Sequence, residues 1–66
     1  MVNGERIKEL MIKKGISNKD MAGRIGVTEA MMSYILNGLR EPNVRSLVRI
    51  ACELEVSVDD LIVKER

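Results

Sequence analysis

The chain has 66 residues, 45% of them hydrophobic and 32% charged, with a formal net charge of +1, which suits one small soluble domain near the lower size limit for an unstapled core. It has no histidine and a single cysteine, Cys52, so it offers no metal-ligand spacing, no internal disulfide and no nucleophile with a base, and neither an enzyme nor a bound cofactor, metal or small-molecule ligand is expected. No apolar run approaches the roughly 20 residues that cross a bilayer, and the charged start "MVNGERIKEL" is no secretory signal, so a cytoplasmic location is expected.

Periodicity predicts helices throughout. "ERIKELMIKK" puts Ile7, Leu10, Met11 and Lys14 at helical spacing, with Asn3 to cap its start and Gly15 to stop it. "SNKDMAGRIG" opens on Ser17 with Asp20 three positions on, a shortened capping box. Its inner face is Met21, Ala22 and Ile25, and Gly26 breaks it. "VTEAMMSYILNG" takes Thr28 as cap, turns Met32, Ile35 and Leu36 inward and ends at Gly38. The loop "LREPN" follows, where Pro42 discourages helix at Glu41. Asn43 caps "VRSLVRIACELE", whose stripe is Leu47, Ile50, Ala51 and Leu54. In "SVDDLIVKER", Ser57 and Asp60 repeat the capping arrangement and Val58, Leu61 and Ile62 face inward. The expected fold is all-α, with five helices, short loops, no strand of useful length, and a single domain over residues 1–66.

Charge is unevenly spread. Residues 1–40 carry a net +3 and residues 41–66 a net −2. The first part can favour phosphate, although an ordinary solvated surface explains the same numbers.

The second and third elements meet the demands of a helix-turn-helix. Ala22 is small where two helices cross closely. Gly26 sits in the turn, where a positive φ is expected. Met21, Ile25, Val27, Met32 and Ile35 supply the apolar residues that lock the crossing angle.

These segments, "ISNKDMA", "GVTEAMMSYILNG" and "EPNVRSLVRIACELEVSVDDLI", resemble the lambda-repressor-like family of Cro and XRE type. That family typically shows "LSQxeLA", "GVSxsxISxxENG" and "xPsxxxLxxIAxxLgVsxdeLl". The resemblance runs from Arg6 to about Ile62, with the helix-turn-helix unit at about residues 17–37. It implies five helices. The second lies across the phosphate backbone, and the third enters the major groove of double-stranded DNA with its N-terminal residues at base edges.

Residue by residue, the resemblance implies base reading by Glu29, Ala30, Ser33 and Tyr34. It implies backbone contacts from Asn18, which stands where the family usually has the longer Gln, and from the neighbouring Lys19, Thr28 and Asn37. Arg40 and Arg45 are placed to neutralise phosphates or to approach the minor groove. Glu29 can accept from the N4 amino group of cytosine, or it is simply a carboxylate that stabilises the first turn of its helix. On either reading it repels phosphate and so penalises non-specific DNA. Tyr34, the one aromatic residue, reaches phosphate through its hydroxyl or a thymine methyl through its ring, or packs on a neighbour. Met31 packs first and touches thymine second.

Two features depart from the family pattern, and a third residue is weighed beside them. Met11 and Leu36 stand where many members carry a partly buried Arg–Glu pair, and a double replacement by apolar groups is tolerated where a single one strands a charge. Glu55 stands where the family usually has Gly, so it either takes a positive φ at a cost or changes the turn. Cys52 lies beside the apolar stripe and reads as a half-buried structural thiol.

The expected function is a small sequence-specific DNA-binding regulator acting by operator occupancy, with no second domain for a ligand. A single short reading helix calls for two copies. A homodimer on an inverted-repeat operator is expected, with half-sites roughly 34 Å apart. Val56, Val58, Leu61, Ile62 and Val63 are the candidate dimer surface, the region through which family members pair. The rival is a protein-binding adaptor on the same fold, an antirepressor or antitoxin-like partner with weak or no DNA binding. The low net charge, Glu29 and Asn18 lean that way.

Overall fold

Asn3, Ser17, Thr28 and Asn43 each turn a side-chain oxygen onto the backbone N–H three residues ahead. Each such cap satisfies an orphan donor and stabilises its helix by about 1 kcal/mol. They start the four α-helices of the computed structural model, which describes residues 1–63: α1 (Gly4–Lys14), α2 (Asn18–Ile25), α3 (Glu29–Leu36) and α4 (Val44–Leu54). Gly15 and Gly26 end α1 and α2 with φ of 70° and 76°, the left-handed stop that glycine adopts without a Cβ penalty. Glu55 ends α4 with φ 59°. Its backbone N–H reaches the carbonyls of Ala51 and Cys52, and its carboxylate meets Lys14 Nζ at 2.8 Å. Of the two alternatives at Glu55, the chain has taken the positive φ.

The fifth expected helix is a 3₁₀ segment, Val58–Leu61. Ser57 does cap it, with Oγ accepting from Asp60 N at 3.3 Å. It ends after four residues, where its last carbonyl and the N–H of Val63 are both used by the N-terminal segment of the chain. Asn3 N donates to Leu61 O at 2.7 Å and Val63 N donates to Met1 O at 2.8 Å, so Ile62 becomes extended and forms an antiparallel bridge with Val2. This bridge is the one β feature among the described residues. Residues 64–66 of the expected fifth helix lie outside the described residues.

The core takes side chains from every element. Ile7, Met21, Met32, Ile35, Ile50, Leu54 and Leu61 are each under 2% exposed. Met11 is buried and Leu36 packs against the same cluster, so the two apolar residues that stand where many members carry a charged pair both serve the core. The start of α1 docks on the end of α3 closely enough that a Cβ on Gly4 would collide with the Leu36 carbonyl. Val2 is buried as well, and its N–H donates to Glu41 Oε1 at 2.9 Å.

Two expectations need correcting. Leu61 belongs to no dimer surface, because it is wholly buried at the heart of the fold. Val56 and Val58 are half-buried against the same core, and Ile62 is held in the bridge. Of that set only Val63 is exposed. Cys52 is exposed rather than half-buried, because it falls outside the arc of α4 that Ser46, Ile50, Ala51 and Leu54 bury.

Candidate nucleic-acid interface

The two helices of interest are joined through one carbonyl. Gly26 N and Val27 N both donate to Ala22 O, and Ala22 itself is 2% exposed. The left-handed Gly26 then turns the chain so that α3 packs against α2, and Met21, Met32 and Ile35 are buried in the common core. Thr28 Oγ1 accepts from Met31 N at 3.1 Å. With that donor satisfied and the inner face filled, Glu29, Ala30 and Tyr34 are left exposed on the outer face of α3 and Ser33 and Met31 half-buried at its edge.

The polar groups around α3 converge on Ser33. Asn18 Nδ2 donates to Ser33 Oγ at 3.0 Å, and Asn37 Nδ2 donates to Ser33 O at 2.9 Å. Asn18 is thereby turned toward α3, whereas the expected phosphate contact calls for an outward side chain. Its amide is one methylene shorter than glutamine, and it meets Ser33 before it clears the helix pair. Its Oδ1 is buried and has no partner among the described residues. The Asn37 amide hydrogens likewise cap the end of α3. Lys19, beside Asn18, is exposed.

The loop after α3 is tied back by Tyr34, whose carbonyl accepts from Leu39 N at 2.8 Å and Arg40 N at 3.3 Å. Arg40 is therefore carried on a segment anchored to the same helix, with its side chain exposed. Arg45 is exposed in the first turn of α4. It does not stand alone there. Arg24, Arg45 and Arg49 line one cleft of about 450 Å³ between α2, the Gly26–Val27 turn and α4. Arg24 Nη1 meets Glu53 Oε1 at 3.0 Å, and Arg49 Nη2 donates to the Arg24 carbonyl at 2.9 Å. Arg24 and Arg49 were not singled out from the sequence. Arg45 and Arg49 are four apart on one helix face, a spacing that reading α4 for its apolar stripe alone passes over.

The displaced ionisations lie away from this surface. Arg6 is held charged above its ordinary range by hydrogen bonds to Glu9 and then Asp60, at 2.9 and 3.2 Å. The Glu55 carboxyl is held below the ordinary glutamate range by its hydrogen bond to Lys14. Among the described residues no helix is long and apolar enough to cross a membrane.

This architecture is that of a helix-turn-helix domain. The helix-turn-helix family model HTH_3 matches residues 7–61, and the chain belongs to that family. Among curated proteins it is similar to the SPbeta prophage-derived uncharacterized HTH-type transcriptional regulator YopO of Bacillus subtilis, 33% identical over 88% of this chain and 83% of the relative. It is also 33% identical to the B. subtilis HTH-type transcriptional regulator SinR, over 89% of this chain. The chain spans about half of SinR, 54% of its length. A crystal structure of SinR in complex with DNA superposes with a TM-score of 0.80 at 33% identity, covering 89% of this chain and 98% of that one.

Proposed function

We propose that this chain is a DNA-binding transcriptional regulator that inserts α3 into the major groove of a specific duplex. The observation that carries the reading is the outer face of α3. Glu29, Ala30 and Tyr34 are exposed in a helix whose other face is locked to α2, and the similar SinR domain has been crystallised with DNA. In this reading Glu29, Ala30, Ser33 and Tyr34 meet base edges. Lys19, Thr28, Arg40 and Arg45 meet the flanking phosphates. Asn18 and Asn37 act one step back, by fixing Ser33 and the end of α3. Two copies bind an inverted repeat with half-sites roughly one helical turn apart, and occupancy of that operator regulates transcription in the cytoplasm. The pairing surface includes Val63 and the half-buried edges of Val56, Val58 and Ile62. The adaptor reading has less support, since the relatives named above are transcriptional regulators.

The test is selection of random duplex DNA on the purified chain at moderate salt, followed by sequencing. Enrichment of an inverted repeat with one-turn spacing is expected. No enrichment, with no retention of any duplex at low salt, overturns the reading in favour of an adaptor.

A further inference from the structure

The cleft between α2, the turn and α4 is not used by base reading. Its walls carry three arginines, Arg24, Arg45 and Arg49, and among the described residues Glu53 is the carboxylate bonded there, to Arg24. Arg49 is held in place by its bond to the Arg24 carbonyl, which uses one Nη and leaves the rest of its donor fork free among the described residues. Arg45 stands one turn earlier on the same side of α4 and is exposed. A planar guanidinium fork matches the geometry of phosphate better than any other side chain. The position of the cleft matters as much as its charge. Gly26 and Val27 line it, and Thr28, the cap of α3, is the next residue. A helix in the major groove, about 12 Å wide, has a row of phosphates along each side. A basic cleft that begins at the N-terminus of such a helix therefore faces one of those rows.

We propose that the Arg24–Arg45–Arg49 cleft is a second phosphate site, which takes one backbone phosphate of duplex DNA outside the base pairs that face α3. The assignment rests on the DNA-binding reading above and extends its footprint from Arg45 along α4 to Arg49 and to Arg24 at the end of α2. Arg45 and Arg49 supply the forks. Glu53 competes with the phosphate for Arg24 and so moderates the site.

The experiment measures binding of the full chain to a selected duplex as a function of salt. Arg45→Gln, Arg49→Gln and Glu53→Gln are compared with the parent, with melting temperature as the check on folding and Arg49→Lys as the conservative control. Loss of one phosphate contact lowers the slope of log K against log salt by about 0.9, so a fourfold rise in salt should cost each arginine variant about 3.5-fold less affinity than it costs the parent. Base preference should not change. Glu53→Gln should bind more tightly and with a steeper slope, whereas a purely structural Arg24–Glu53 pair would lower the melting temperature and leave the slope alone. In parallel, single phosphates are replaced by neutral methylphosphonates. At one position outside the reading site, neutralisation should cost the parent several-fold and Arg49→Gln nothing. If the parent binds but no variant changes the slope and no phosphate couples to Arg49, the cleft is not a DNA site and an acidic protein surface becomes its candidate partner. If the parent binds no duplex at low salt, the DNA-binding reading itself fails and the cleft assignment falls with it.

Discussion

Asn18 Nδ2 and Ser33 Oγ, 3.0 Å apart, join the first turn of α2 to the middle of α3. The bond is asymmetric in what each partner leaves behind. Without Ser33 Oγ, the half-buried Asn18 amide has no partner at either end, because its Oδ1 already lacks one. Without Asn18, the unsatisfied oxygen disappears along with the bond. Stranding a polar group costs more than deleting a pair, by about 1 kcal/mol for a partly buried amide. Ser33→Ala is therefore expected to destabilise the fold more than Asn18→Ala, despite alanine's better helix propensity. Urea unfolding of the two single variants and the double variant measures both the asymmetry and the coupling. Equal costs with no coupling would mean that the contact does not form in solution.

Glu29 sits exposed in the first turn of α3, where its charge does two things. It favours the positive end of the helix, worth about 0.3–1 kcal/mol, and it repels phosphate. Glu29→Gln removes both effects. The expected result is a slightly lower melting temperature, tighter binding to random duplex, and a narrower ratio between specific and non-specific affinity. Quantitative binding to a selected duplex and a scrambled one at the same salt checks this. A variant that keeps the parental ratio would show that the carboxylate takes no part in discrimination. If a cytosine opposite position 29 is enriched with the parent and lost with Glu29→Gln, the carboxylate reads that base directly.

The helices were legible because their signals are local. Five capping side chains, at Asn3, Ser17, Thr28, Asn43 and Ser57, do what their residue types and spacing predict. The apolar stripes give the core at the same level. What the sequence hid depends on contacts between distant residues. Val63 and Met1 share a backbone bond across the whole chain, and with that pairing Ile62 is extended and the fifth element stops at Leu61. No local pattern encodes it. At the interface, outward exposure of Glu29, Ala30 and Tyr34 followed from helical period. The inward turn of Asn18 did not, since it depends on how closely α2 and α3 pack.

Glu55 joins a left-handed backbone to an ion pair, and pH separates the two. Its carboxyl is held below the ordinary glutamate value, about 4.3 in an unfolded chain, by Lys14. The pair therefore stabilises the folded state fully above that value, and the contribution disappears as pH falls through the lower folded value. The backbone strain at φ 59° is independent of pH. Glu55→Gly relieves the strain and loses the pair. Relative to the parent it should gain melting temperature as pH is lowered from 7 to 3. Lys14→Met, which keeps the strain and loses the pair, should fall below the parent at pH 7, and the gap should narrow as pH is lowered. The pair is solvent-exposed, so added salt should shrink the difference at pH 7. A pH-independent gap for either variant would remove the ion pair from the account.

Gly4 and Gly23 both lie inside helices and should respond to alanine in opposite ways. At Gly4 a Cβ would meet backbone, the Leu36 carbonyl with the Ile35 oxygen close behind. Neither is the end of a flexible side chain, so relief requires α1 to move off α3. Overpacking of this kind costs about 1–3 kcal/mol, which is several degrees or more in melting temperature for a domain of this size. The movement would also disturb the backbone bonds from Asn3 N to Leu61 O and from Val63 N to Met1 O. At Gly23 nothing lies within 4 Å of the added carbon, and the residue is exposed within α2. Alanine there keeps the helix and narrows the unfolded ensemble, a gain of about 0.5–1 kcal/mol. Thermal unfolding of Gly4→Ala and Gly23→Ala should therefore bracket the parent. A neutral Gly4→Ala would mean that α1 and α3 do not approach so closely. A destabilised Gly23→Ala would mean that this face of α2 is covered by something other than solvent.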